Sequence, residues 1–119
     1  MRRIIWTIAM IGFLGLVFPV FADINDDLIE AAEDGDLERV QELIEQGADV
    51  NAANSYGDTV LISTTYYGHI AIVQLLLDAG VNVNGANIYG YTALMSAAEN
   101  GHTDIVQLLI AAGADINAS

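Results

Sequence analysis

Two histidines, two serines in matched places and a group of acids are the side chains of this chain best suited to chemistry. His69 and His102 could act as bases or metal ligands, but each follows a glycine and the two stand in equivalent surroundings. An imidazole repeated in successive units is better explained by a local bond at the start of a helix. Ser63 and Ser96 lack the sharp strand-to-helix context of an activated nucleophile, and no cysteine supplies a thiolate. Asp23, Asn25 and Asp27 resemble the opening of a calcium loop, which then requires glycine at its sixth position and glutamate at its twelfth. Leu28 and Asp34 stand there instead, leaving at most weak surface binding of divalent cations. No catalytic residue, cofactor or metal site is expected.

The elements that must carry these residues follow from a period. Gly35, Gly68 and Gly101 are evenly spaced, and the same interval separates Gly47, Gly80 and Gly113, and Asn51, Asn84 and Asn117. Apolar pairs keep the same phase: Val40 with Leu43, Val73 with Leu76, Val106 with Leu109. Such an interval, about 33 residues, marks a stacked repeat in which each unit buries its apolar face only against its neighbours. Asn25-Asp26-Asp27 suits the start of a first helix, since short polar side chains cap free amides and acids favour the positive end. Leu37, Val40, Leu43 and Ile44 recur at helical spacing up to Gly47. The order helix, tight turn, helix, glycine returns as Thr59–Tyr67 with Ile70–Ala79, and as Thr92–Asn100 with Thr103–Ala112; Thr59 and Thr92 are placed as N-caps. Ala48–Asp58 and Val81–Tyr91, rich in glycine and asparagine, read as turn-rich connectors.

Residues 1–22 are of another kind. Arg2 and Arg3 precede an apolar run, and Pro19 leads into Val20-Phe21-Ala22. This is the layout of a secretory signal with cleavage between Ala22 and Asp23. The alternative is an uncleaved membrane anchor, for which the apolar stretch from Ile4 to Ala22 is just long enough. Removal of the leader leaves Arg39 alone against 16 acids, a formal charge of −15, with no lysine anywhere. Such a body repels nucleic acid and anionic lipid, so neither is expected as a partner. Without cysteine, an exported domain relies on packing alone.

The repeat units resemble the ankyrin family. The matching stretches are Tyr56-Gly57-Asp58-Thr59-Val60-Leu61, Gly68-His69 through Leu77, and Ala79-Gly80-Val81-Asn82-Val83-Asn84. They return as Tyr89-Gly90-Tyr91-Thr92-Ala93-Leu94, Gly101-His102 through Ile110, and Ala112-Gly113-Ala114-Asp115-Ile116-Asn117. The resemblance implies an all-α repeat solenoid, with helix-turn-helix units joined by β-turn or hairpin loops. It divides residues 23–119 into an N-terminal capping repeat at about 23–53, an internal repeat at 54–86 and a C-terminal repeat at 87–119. It also implies a non-enzymatic module that binds other proteins, here of the exported, bacterial type and periplasmic or secreted. Where the family commonly has proline and histidine after the capping threonine, this chain has Val60 and Ile62, then Ala93 and Met95. These departures are expected to weaken the turn-to-helix join modestly.

The units also differ among themselves. Arg39 and Glu42 stand where Ile72 and Leu75, then Ile105 and Leu108, stand later, and 11 of the 16 acids lie between Asp23 and Asp49. The first unit thus reads as an N-terminal cap. The unit that runs to Ser119 shows no such change, which makes pairing with a second copy through that repeat the alternative function. All five tyrosines stand at positions that vary between units. In the resembled family, turn tips and the exposed side of the first helix line a concave recognition surface. The matching positions are Ser55, Tyr56, Asp58, Tyr66, Tyr67, Ile88, Tyr89, Tyr91, Glu99 and Asn100. Tyrosine combines a large apolar face with a hydroxyl at low entropic expense, which suits binding. Tyr67 is the ring most suited to a structural role, and the nearby Glu33, Asp34, Asp58 and Glu99 favour a partner with positive charge. Asn117-Ala118-Ser119 also matches a weak glycosylation sequon.

Overall fold

The computed structural model describes residues 23–116, so the leader and the Asn117 sequon lie outside the described residues. Three helix pairs follow one another: α1 (Ile24–Asp34) with α2 (Leu37–Glu45), α3 (Val60–Tyr66) with α4 (Ile70–Asp78), and α5 (Ala93–Glu99) with α6 (Thr103–Ala111). Among the described residues there is no strand, only single antiparallel bridges from Ala53 to Thr59 and from Ala86 to Thr92 that close two loops. This is the all-α repeat solenoid that the family resemblance implied. No helix among them is long and apolar enough to cross a membrane.

The helix starts follow from side chains that reach free amides. Thr59 Oγ1 accepts from the Ile62 amide at 3.1 Å, and Thr92 Oγ1 from the Met95 amide at 3.3 Å. Both caps therefore form without the proline and histidine common in the family. The first helix starts one step earlier than Asn25-Asp26-Asp27 suggests. Asp23 is its extended cap and accepts from the Asn25 amide at 2.9 Å, so Asp26 and Asp27 fall in the first turn, where the helix end is positive.

The first helices of the pairs stack on one another, and the second helices form a parallel row behind them. Small buried side chains, Ala31 and Ala32, Ser63 and Thr64, Ser96 and Ala97, allow close approach in the first row. Between the rows Val40, Leu43, Val73, Leu76 and Leu109 are buried, each contributing about 1.5–3 kcal/mol. Val106, from the same column, is only partly covered.

The histidines do something other than the local bond expected of them. Neither His69 nor His102 makes a side-chain cap bond to its own helix. Instead His69 Nε2 donates to the Glu33 carbonyl at 3.1 Å, and His102 Nε2 to the Tyr66 carbonyl at 3.3 Å. Carbonyls in the last turn of a helix lack an intrahelical partner, so the ring of one repeat satisfies the helix end of the one before. The ring fits because the preceding repeat has glycine opposite it. A Cβ at Gly68 would lie 2.8 Å from His102 Cε1, and one at Gly35 would lie 2.7 Å from His69 Cε1. Asparagines make a second join: Asn51 Oδ1 accepts from the Asn82 amide, and Asn84 Oδ1 from the Asp115 amide, both at 2.7 Å.

Candidate protein-binding face

Each loop is folded around one asparagine. Asn54 Oδ1 accepts from the amides of Tyr56 and Asp58 at 2.9 and 3.0 Å. Asn87, in the equivalent place of the next repeat, does the same for Tyr89 and Tyr91 at 2.9 and 3.0 Å. These side chains hold tight turns that push the rings at the tips outwards. The two loops also bond to each other, through the Ile88 amide to the Tyr56 carbonyl at 3.0 Å and through Asn87 Nδ2 to Asp58 Oδ1 at 2.7 Å. Gly57 lets the second loop come this near, since a Cβ there would sit 3.0 Å from Asn87 Cα.

Between the loops and the first helices opens a cleft of about 290 Å³. Asp58, Asn87 and Tyr91 enter it from the loops; Glu33, Ile62, Ser63, Tyr66, Tyr67 and Ser96 enter it from the helices. Ser63 and Ser96 are buried, whereas Tyr66 and Tyr67 stand half out of the surface. Their rings meet edge to face at 5.0 Å, and Tyr67 also stacks on His69 at 6.0 Å. Tyr67 therefore has both roles: it shields the histidine that joins two repeats and it walls the cleft.

Of the ten residues singled out in the sequence, Asp58, Tyr66, Tyr67 and Tyr91 meet in this cleft. Ser55, Tyr56, Ile88 and Tyr89 form a separate exposed row along the loop tips, and Tyr89 is the most exposed ring at 76%. Glu99 adjoins the cleft through Tyr91: its hydrogen bond, then desolvation and then its negative charge raise the Tyr91 phenol above the usual tyrosine value. Asn100 lies at the end of α5 and donates from Nδ2 to the Ser96 carbonyl at 2.8 Å. Asn54 and Asn87 were not singled out, although their recurrence in step with the glycines was a signal for them. Ile62 and Ser96 were likewise missed as cleft residues. No group of three or more potential metal ligands is present among the described residues.

A row of helix pairs joined by asparagine-pinned loops defines a repeat-built solenoid. The family model for ankyrin repeats, in three copies, matches residues 28–119, and the chain belongs to the ankyrin-repeat family. Members of that family are generally protein–protein interaction modules and typically not enzymes. No curated protein matches the chain.

Proposed function

We propose that residues 23–119, freed from a signal at 1–22, form an exported, non-enzymatic adaptor in the periplasm or outside the cell. It binds a protein partner on the face made by the loops and first helices. What supports this reading is the acidic, tyrosine-walled cleft, flanked on that face by the exposed Tyr56, Ile88 and Tyr89. Large amphipathic rings on a pre-formed surface bind with little loss of freedom. Changing Tyr66→Ala together with Tyr89→Ala should abolish capture of a partner from the compartment where the protein resides, with circular dichroism unchanged. Undiminished capture by that variant removes the reading. Export has its own check: the mature protein should begin at Asp23 by mass spectrometry, and an intact cytosolic chain counts against it.

A second reading is self-association through the third repeat, favoured by Ile110 at 47% and Ile116 at 65% exposure. Light scattering distinguishes the two, since a chain that stays monomeric at high concentration excludes this one.

A further inference from the structure

We propose that the cleft takes one arginine side chain of the partner, with its guanidinium against the Tyr66 ring and its donors on Asp58, Glu33 and the Ser96 hydroxyl. The inference rests on the face being a protein-binding surface and names the group that anchors there.

Ser96 carries the first part of the argument. It is 1% exposed, its Oγ has no hydrogen-bond partner, and it lines the cleft. Buried hydroxyls are nearly always paired. Two are unpaired among the described residues, Thr65 Oγ1 and Ser96 Oγ, and of these residues only Ser96 lines the cleft, where a group from outside can reach its side. Charge carries the second part. Glu33 and Asp58 line the same small space, and Asp58 is held in place by Asn87 Nδ2 on one oxygen. Its other oxygen accepts no hydrogen bond among the described residues. Among the described residues the one arginine or lysine, Arg39, lies on α2 and faces Glu42 at 3.6 Å, and it does not line the cleft. The walls carry the third part, since tyrosine faces attract a cation held over them. Several acceptors set apart on different elements call for a planar ion with many donors, which is guanidinium and not ammonium.

The test titrates the labelled full chain with three blocked pentapeptides that differ only at their central residue: arginine, lysine or citrulline, the neutral counterpart of arginine. The arginine peptide should shift the Tyr66 and Tyr91 ring signals saturably, with citrulline at least about tenfold weaker. Asp58→Asn should weaken arginine binding by about tenfold, keeping the bond from Asn87 through its amide oxygen. Ser96→Ala should weaken it a few-fold while raising or leaving unchanged the melting temperature of the free protein, because it removes an unpaired buried hydroxyl. Citrulline or lysine binding as tightly as arginine overturns the proposal. So do shifts confined to Tyr56 and Tyr89, or a Ser96→Ala variant of unaltered affinity. Those results leave the face intact as a docking surface if the Tyr66→Ala, Tyr89→Ala double variant still loses its partner.

Discussion

The first and third repeats are built on one pattern and treat their outer sides in opposite ways. In the first, Asp36 occupies the histidine column and caps its own helix, accepting from the Arg39 amide at 3.1 Å. His69 and His102 instead reach back to the repeat before them. Asn25 accepts from the Asp49 amide at 2.8 Å, the service that Asn51 and Asn84 perform between repeats. Arg39 is exposed where Ile72 and Ile105 are buried. Each interaction that would reach a preceding neighbour has thus been turned inward or made polar. The third repeat keeps the joining parts without occupants among the described residues: nothing lies within 4 Å of a Cβ at Gly101, and Ile110 is half exposed. The outer side of the first repeat is closed by particular side chains, and the third repeat shows no counterparts to them among the described residues.

Five variants, taken from the largest expected effect to the smallest, break or sharpen this contrast. Gly68→Ala meets both a positive φ of 74° and the His102 ring, so it should destabilise the protein by about 3 kcal/mol in urea unfolding. Gly101→Ala has the same backbone conformation but an empty space, and should lose only about 1 kcal/mol. Equal losses would show that the histidine seat contributes nothing beyond glycine's conformational freedom. Asn84→Ala and Asn25→Ala should each lose about 1 kcal/mol by the same measurement. If Asn25→Ala has no effect, its bond to Asp49 is not a closing device. Ile110→Lys should change stability by less than about 0.5 kcal/mol, since the side chain is half in water. Its readout is light scattering: a self-paired chain becomes monomeric, and a chain already monomeric stays so.

Much of this fold was legible because its scaffold residues recur, and recurrence separates them from residues free to vary. The capping threonines, the buried valine and leucine columns and the polar first repeat could all be read that way. The direction of the histidine bonds could not, because the acceptor lies 36 residues back on another helix. Gly68 and Gly101 are the same letter in the same column, and only the structure distinguishes a filled seat from an empty one. The tyrosines stand out in the sequence as residues at variable positions, but the grouping of Tyr66, Tyr67 and Tyr91 in a cleft apart from Tyr56 and Tyr89 at the loop tips does not. Ser96 illustrates the limit most plainly. In the sequence it is a small residue in a helix; its unpaired hydroxyl exists only through the packing around it.

The joint between repeats also bears on how such a chain could grow. Seat and histidine belong to different repeats, Gly35 to His69 and Gly68 to His102. A tandem duplication of the middle repeat would bring each new histidine together with a glycine that already fits it, without any accompanying mutation. The extra copy would lengthen the row of loops and leave the first and third repeats as they were. Duplication of the first repeat would fare differently, because Asp36 would arrive where an imidazole must bridge to the previous helix. Ancestry by internal duplication is therefore open to the middle of this molecule and closed at its start.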